Sequence, residues 1–211
     1  VADLGDTERD ALREIFAAFP KVHDLIAALF EFSPYLTDLI RADPGRLVRL
    51  LRANPERHLE SLLSRVIVAV SDMDDESNAM RLLRLTKSEA ALLIAMADIG
   101  GVWPVMQVTR ALTELADCMV QGAVRFLLND AVRRGRLTPP DPSQPERGSG
   151  YIVLAMGKMG ALELNYSSDI DLIVFYDPDA PAIPDDTEPS ALYIRVTRGL
   201  VKLLQERTPD G

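Results

Sequence analysis

The sequence predicts an α+β protein: a helical region over residues 1–137, a linker over 138–150, and part of an α/β core over 151–211. Three observations predict it. Up to Leu137 the apolar residues recur at helical spacings of three and four. At Thr138 the stretch "TPPDPSQPERGSG" breaks that period with proline, glycine and serine. Beyond it two short, near-continuous apolar runs, "YIVLAM" and "DIDLIVFY", have the pattern of strands buried on both faces.

Within the helical region, three helix starts share one device. Ser33-Pro34, Asp43-Pro44 and Asn54-Pro55 each pair an N-capping side chain with proline at the first helical position, where its missing N–H costs nothing. Short helices joined by tight turns follow. The run from Lys87 to Ala97 is apolar enough to be central. The longest helix is expected to start near Pro104, with Val108, Ala111, Leu112, Leu115, Met119, Ala123, Phe126 and Leu127 as its buried stripe. After the two strands, the acidic "DPDAPAIPDDTEP" reads as a surface loop, since it lacks the spacing and closing glutamate of an EF-hand. Ser190 to Glu206 then reads as an amphipathic helix that turns Leu192, Val196, Leu200, Val201 and Leu204 to the sheet.

Composition excludes several function classes. With 23 Lys+Arg against 32 Asp+Glu the net charge is -9, which argues against broad nucleic-acid binding through a cationic surface. Cys118 is the single cysteine, so no intrachain disulfide forms, and its apolar helical setting makes it a core residue rather than a nucleophile. His23 and His58 are the only histidines and lie far apart, which leaves little for a histidine metal site or a Ser-His-Asp triad. No signal segment opens the chain, and no run approaches the roughly 20 apolar residues of a membrane span. A cytoplasmic protein that binds neither membrane nor nucleic acid is the expectation.

The chemistry gathers between Gly157 and Asp171. Alternate residues of a strand share a face, so Asp169 and Asp171 point the same way, about 6.6 Å apart along the chain. Two like charges so placed repel unless water screens them or a cation sits between them. Oxygen-only ligands suit a hard ion such as Mg²⁺, with Mn²⁺ as a substitute, and such ions serve phosphoryl transfer. Gly157 and Gly160 flank a turn directly after a strand, expected to open a short helix through Ala161 to Leu164. Exposed backbone N–H groups there suit a phosphate. Lys158 adds a positive charge, and Ser167 and Ser168 add hydroxyls beside the carboxylates. The turn is neither a Walker loop nor a Rossmann fingerprint, because both spacings are missing.

The order of glycine turn, spacer and Asp-x-Asp in an apolar strand resembles the DNA polymerase beta-type nucleotidyltransferase superfamily. Within it, "GKMGALELNYSSDIDLIVF" closely resembles the signature of glutamine synthetase adenylyltransferase, the bifunctional adenylylating and adenylyl-removing enzyme. "FSPYLTDLIRADPGRLVRLL" and "TRALTELADCMVQGAV" resemble helical segments of the same family. The resemblance implies two homologous halves. One removes AMP from a tyrosine of glutamine synthetase by phosphorolysis, releasing ADP; the other attaches AMP from ATP. "ELNYSSDIDLI" is more similar to the adenylyl-removing half. The implied site has Asp169 and Asp171 as catalytic residues and metal ligands, and Gly157, Lys158, Ser167 and Ser168 on nucleotide and phosphate oxygens. The implied partners are glutamine synthetase as substrate, the PII signalling protein as regulator, and ADP, ATP and phosphate. The superfamily also implies a third carboxylate on a later strand. Asp177 and Asp179 lie past the far end of the Asp169 strand, so the core is expected to be truncated at its C-terminal end and the fragment to be inactive alone. The rival readings are the adenylylating half, another nucleotidyltransferase of the superfamily, and a non-catalytic docking module.

Overall fold

The computed structural model describes residues 6–206 and 208. Their architecture is α+β, as the sequence predicts, with helices up to Arg133 and strands only beyond Gly150. The chain divides into two compact units. The first is built from residues up to Leu62 together with Ser88–Val108, and the second from Leu63–Lys87 and the chain from Thr109 on.

The first unit contains α1 (Asp6–Ala18), α2 (Pro20–Phe32), α3 (Pro34–Ala42) and α4 (Pro44–Arg52). It also takes the beginning of α5 (Pro55–Ser71), the end of α6 (Glu76–Ile99) and the first residues of α7 (Val105–Arg133). The three expected caps are made: Ser33 Oγ accepts from the Leu36 N–H at 3.4 Å, Asp43 Oδ1 from Arg46 at 3.1 Å, and Asn54 Oδ1 from Arg57 at 3.0 Å. Each satisfies one donor that a helix start leaves open. Leu92, Leu93 and Ile94 are buried, so the Lys87–Ala97 run is central as read. Trp103 is buried with its indole N–H on Glu56 Oε1 at 2.6 Å; the backbone N–H of Glu56 itself, and then this bond, hold the Glu56 carboxyl below its usual range.

The second unit is built on α7, the longest helix among the described residues. Val108, Ala111, Leu112, Leu115, Met119, Ala123 and Phe126 are buried along it as expected, while Leu127 is half-buried. Cys118 is a core residue too: its Sγ approaches the Leu63 carbonyl at 3.4 Å, and burial pushes its thiol up to about 11. Arg84 of α6 reaches the end of the last helix, α9 (Pro189–Gln205), and gives Nη1–H to the Leu204 carbonyl at 2.9 Å and Nη2–H to Glu206 at 2.5 Å. A guanidinium there satisfies end carbonyls and opposes the negative end of the helix dipole.

Two strands, β1 (Tyr151–Ala155) and β2 (Leu172–Tyr176), pair antiparallel in the register Tyr151↔Tyr176 to Ala155↔Leu172. Tyr193 of α9 stacks on Tyr151 and Tyr176, and its hydroxyl donates to the Ser149 carbonyl. Tyr151, Val153, Leu172 and Val174 therefore form a packed face. The opposite face differs from the sequence expectation. Ile152, Leu154, Ile173 and Phe175 are all more than 40 % exposed, because among the described residues the helices pack on the other face of the two strands. Tyr193 also shifts the buried stripe of α9. Leu192, Tyr193, Val196, Leu200 and Leu203 are buried, whereas Val201 is exposed and Leu204 half-buried, contrary to the simple helical reading.

The proline-rich segment after α7 is irregular but held. The Thr138 N–H donates to the Ala182 carbonyl at 2.7 Å, and the Ala182 N–H to Gly148 at 3.2 Å, so it is tied to the acidic loop that follows β2.

Candidate functional site

The site begins where β1 ends. Met156 is extended, and a one-turn helix α8 (Gly157–Gly160) follows, a turn earlier than the sequence pattern suggests. Gly157 has φ +56°, a conformation that glycine takes without strain. A Cβ on it would stand 3.6 Å from Asp171 Oδ2, so the turn and the carboxylate are neighbours. Gly160 is required for a different reason: a Cβ there would lie 2.5 Å from the Ala155 carbonyl, which α8 folds back to meet. The first N–H groups of this turn have no partner within the helix.

The chain leaves α8 through a left-handed cap. The Glu163 N–H bonds to the Lys158 carbonyl at 2.8 Å and the Leu162 N–H to Met159 at 3.1 Å, with Leu162 at φ 60° in the place usually held by glycine. Leu164 then plugs into the core, and its N–H donates to Thr113 Oγ1 of α7 at 3.3 Å. This contact pins the loop to the helix, and nothing in the spacing of the sequence announces it.

Asn165 organises the serine turn that comes next. Its Oδ1 receives the Ser167 N–H at 3.2 Å, Ser167 Oγ at 3.3 Å and Ser168 Oγ at 2.6 Å. Lys158 Nζ reaches Ser168 Oγ at 3.2 Å. Lys158, Ser167 and Ser168 thus come together. Asn165, the residue that joins the two serines, is the one that residue-by-residue reasoning left without a role.

Asp169 and Asp171 differ slightly from expectation. They do not open the strand but precede it, since β2 starts at Leu172. The ladder extends one bond further, through the Met156 N–H to the Asp171 carbonyl at 2.9 Å. Exposure alternates through this segment: Asp169, Asp171, Ile173 and Phe175 are exposed, while Ile170, Leu172 and Val174 are half-buried. The two carboxylates therefore share the open face, as read. Neither carboxylate has a hydrogen-bond or ion-pair partner among the described residues. Asp177 accepts from the Asp179 N–H at 3.0 Å in the turn past the far end of β2, away from the pair. Among the described residues no three His, Cys, Asp or Glu side chains converge as metal ligands.

A cavity of about 420 Å³ lies elsewhere, lined by Val120 and Val124 of α7 and by Val153 and Leu172 on the packed face of the sheet. The Arg125–Glu146 ion pair, 2.6 Å long, stands at its rim. It is on the side opposite the carboxylates, so the polar site is an open surface rather than this pocket.

A glycine-opened turn, an ammonium held on a serine hydroxyl and two exposed carboxylates without a partner among the described residues thus lie within one stretch of chain. Residues 23–211 match the family model described as glutamate-ammonia ligase adenylyltransferase, and the chain belongs to that family. It is 55 % identical over 211 residues to the bifunctional glutamine synthetase adenylyltransferase/adenylyl-removing enzyme of Rhodopseudomonas palustris, covering 100 % of this chain and 21 % of the relative. The enzyme of the same name from Bradyrhizobium diazoefficiens is 54 % identical over 203 residues, 96 % of this chain and 20 % of the relative. That from Xanthobacter autotrophicus is 45 % identical over 208 residues, 99 % of this chain and 21 % of the relative. The chain thus spans about a fifth of the length of the curated relatives it matches.

Proposed function

We propose that this chain is part of the adenylyl-removing half of a bifunctional glutamine synthetase adenylyltransferase, and that its site splits AMP from a tyrosine of glutamine synthetase by phosphorolysis. The carrying observation is the Asp169–Asp171 pair, without a partner among the described residues and with Asp171 beside Gly157. The assignment to this half rests on the similarity of "ELNYSSDIDLI" to it. We further propose the division into a helical region 1–137, a linker 138–150 and a nucleotidyltransferase core from 151, and a cytoplasmic setting; no helix among the described residues is long and apolar enough to cross a membrane. PII protein is the proposed regulator, on the family resemblance alone.

The donor set fits Mg²⁺ or Mn²⁺. Two exposed carboxylates supply oxygen ligands, no cluster of three His, Cys, Asp or Glu forms among the described residues, and such ions keep waters and take substrate phosphates for the rest. Bound there, the ion would neutralise charge on the transferring phosphoryl group. Asp169 and Asp171 would hold it. Lys158, the hydroxyl of Ser167 and the leading N–H groups of the turn at Gly157 hold phosphate oxygens. A phosphate oxygen attacks the phosphorus of AMP, the bond to the tyrosine oxygen breaks, and that oxygen takes up a proton from water; the product is ADP. Phosphate arrives as an anion, so the protein need supply no general base, and positioning with charge stabilisation carries the rate.

The test uses the full-length enzyme, adenylylated glutamine synthetase, phosphate and Mg²⁺, with nucleotide products separated by chromatography. ADP is expected. Free AMP would show water as the nucleophile, and removal that needs no phosphate would defeat the proposal.

A further inference from the structure

We propose that Asn165 is a positioning residue: it fixes the direction of the protons in the turn and, through Ser168, holds Lys158 in place for the phosphate. The inference rests on the phosphoryl-transfer reading of this site and adds to it a role for Asn165 and a changed role for Ser168.

The proton order is set by groups that can only donate. The Ser167 N–H points at the Asn165 amide at 3.2 Å, so the amide must turn its oxygen, not its nitrogen, into the turn. That oxygen can only accept, and Ser168 Oγ lies 2.6 Å away, so the Ser168 hydroxyl gives its single proton to Asn165. Ser168 Oγ then presents lone pairs only. Lys158 Nζ, which has no acceptor capacity, stands 3.2 Å from it and donates. The chain runs one way, from Lys158 through Ser168 to Asn165.

This order changes the roles of both serines. Ser168 is no phosphate donor in this arrangement, because its proton is committed; it holds the lysine instead. An exposed lysine otherwise samples many rotamers, and fixing one of its three N–H groups pre-places the other two at lower entropic cost. Ser167 is the hydroxyl free to serve. Its Oγ is the more distant of the two serine hydroxyls on Asn165 Oδ1, at 3.3 Å, and an oxygen with two lone pairs releases its weakest donor first.

The test is a double-mutant cycle in the full-length enzyme, read as kcat/KM for phosphate and, without turnover, as ADP affinity by titration calorimetry. Ser168→Ala and Asn165→Ala are each expected to lower both quantities about fivefold, the net worth of one hydrogen bond. Ser168→Thr, which keeps the hydroxyl, is expected to retain wild-type values within about twofold. In a Lys158→Met background Ser168→Ala should have no further effect, because the lysine it holds is gone. A Ser168→Ala loss that persists in Lys158→Met, or a threonine variant as poor as the alanine one, would overturn the tether. Ser168→Ala deletes one oxygen and keeps the test sound should Asn165→Ala disturb the turn. A wild-type enzyme that uses ATP and not phosphate overturns the choice of half, and the cycle is then read on ATP. A wild-type enzyme that neither turns over nor binds ADP overturns the phosphate site and the tether with it.

Discussion

Replacing both Asp169 and Asp171 with asparagine should make the metal-free protein slightly more stable, not less. The two side chains are exposed, neither has a partner among the described residues, and the backbone bond at Asp171 is made by its carbonyl. Nothing is therefore lost on neutralising them except their mutual repulsion. For alternate residues of an extended chain, about 6.6 Å apart, that repulsion is about 0.6 kcal/mol in bulk water. A Debye length of about 8 Å at physiological salt roughly halves it. The double variant should thus gain about 0.3–0.6 kcal/mol in EDTA. Mg²⁺ reverses the order. At about 100 times its dissociation constant the ion adds about 2.7 kcal/mol to the wild type and nothing to the variant. Urea unfolding of both proteins, in EDTA and in Mg²⁺ at matched ionic strength, measures all four stabilities. A variant destabilised by more than about 1 kcal/mol in EDTA would show that the acids are structural, since surface changes without such a role stay within about half of that. An equal response of the two proteins to Mg²⁺ would refute the metal assignment.

Other substitutions test the frame around the site. Arg84→Met should destabilise the fold by about 2 kcal/mol in urea titrations. Two charged hydrogen bonds to the end of α9 are lost, while the cost of burying the guanidinium is returned. Unchanged stability would mean the two effects cancel. Leu162→Gly should raise stability by about 0.5 kcal/mol in thermal melts, because relief of the left-handed strain outweighs the entropy of glycine and the leucine is already half exposed. A lower melting temperature would show that the exposed side chain contributes more than its conformation costs. Cys118 should resist iodoacetamide at pH 8 in the native protein and react once unfolded. Its folded pKa is raised from 9.0 to about 11, so its protonated form supports the fold below pH 9 and that contribution is lost as the pH rises from 9 towards 11. A cysteine-to-serine variant with the same alkaline stability profile would contradict this.

The helical frame was legible because its signals are local. Ser33, Asp43 and Asn54 announce their helices with a cap and a proline, and each makes the expected bond. The stripe of α7 repeats often enough to fix its buried face. Pairings across distance were not legible. Tyr193 turns the buried face of α9 by stacking between tyrosines of both strands, which no periodicity within α9 encodes. The apolar strands promised two covered faces, yet among the described residues one face is covered. In the candidate site, the nearness of Gly157 to Asp171 and the shared exposed face of Asp169 and Asp171 follow from residue type and spacing, because alternate positions of an extended chain share a face and a glycine turn carries a physical reason. The Asn165 hub does not, since a lone asparagine between hydrophobic and hydroxyl residues has the signature of any turn. The Thr113 contact with Leu164 joins residues 51 apart, and a buried threonine on a helix is ordinarily satisfied by its own backbone, as Thr113 also is through the Thr109 carbonyl.

The most direct test separates the two activities in one molecule. Asp169→Asn in the full-length enzyme should cut phosphate-dependent release of ADP from adenylylated glutamine synthetase by at least about 100-fold, through loss of charge stabilisation at the transferring phosphoryl group. The same protein should still attach labelled AMP from ATP to unmodified glutamine synthetase at close to the wild-type rate. Loss of AMP attachment with ADP release intact would contradict the account and move this site to the opposite reaction.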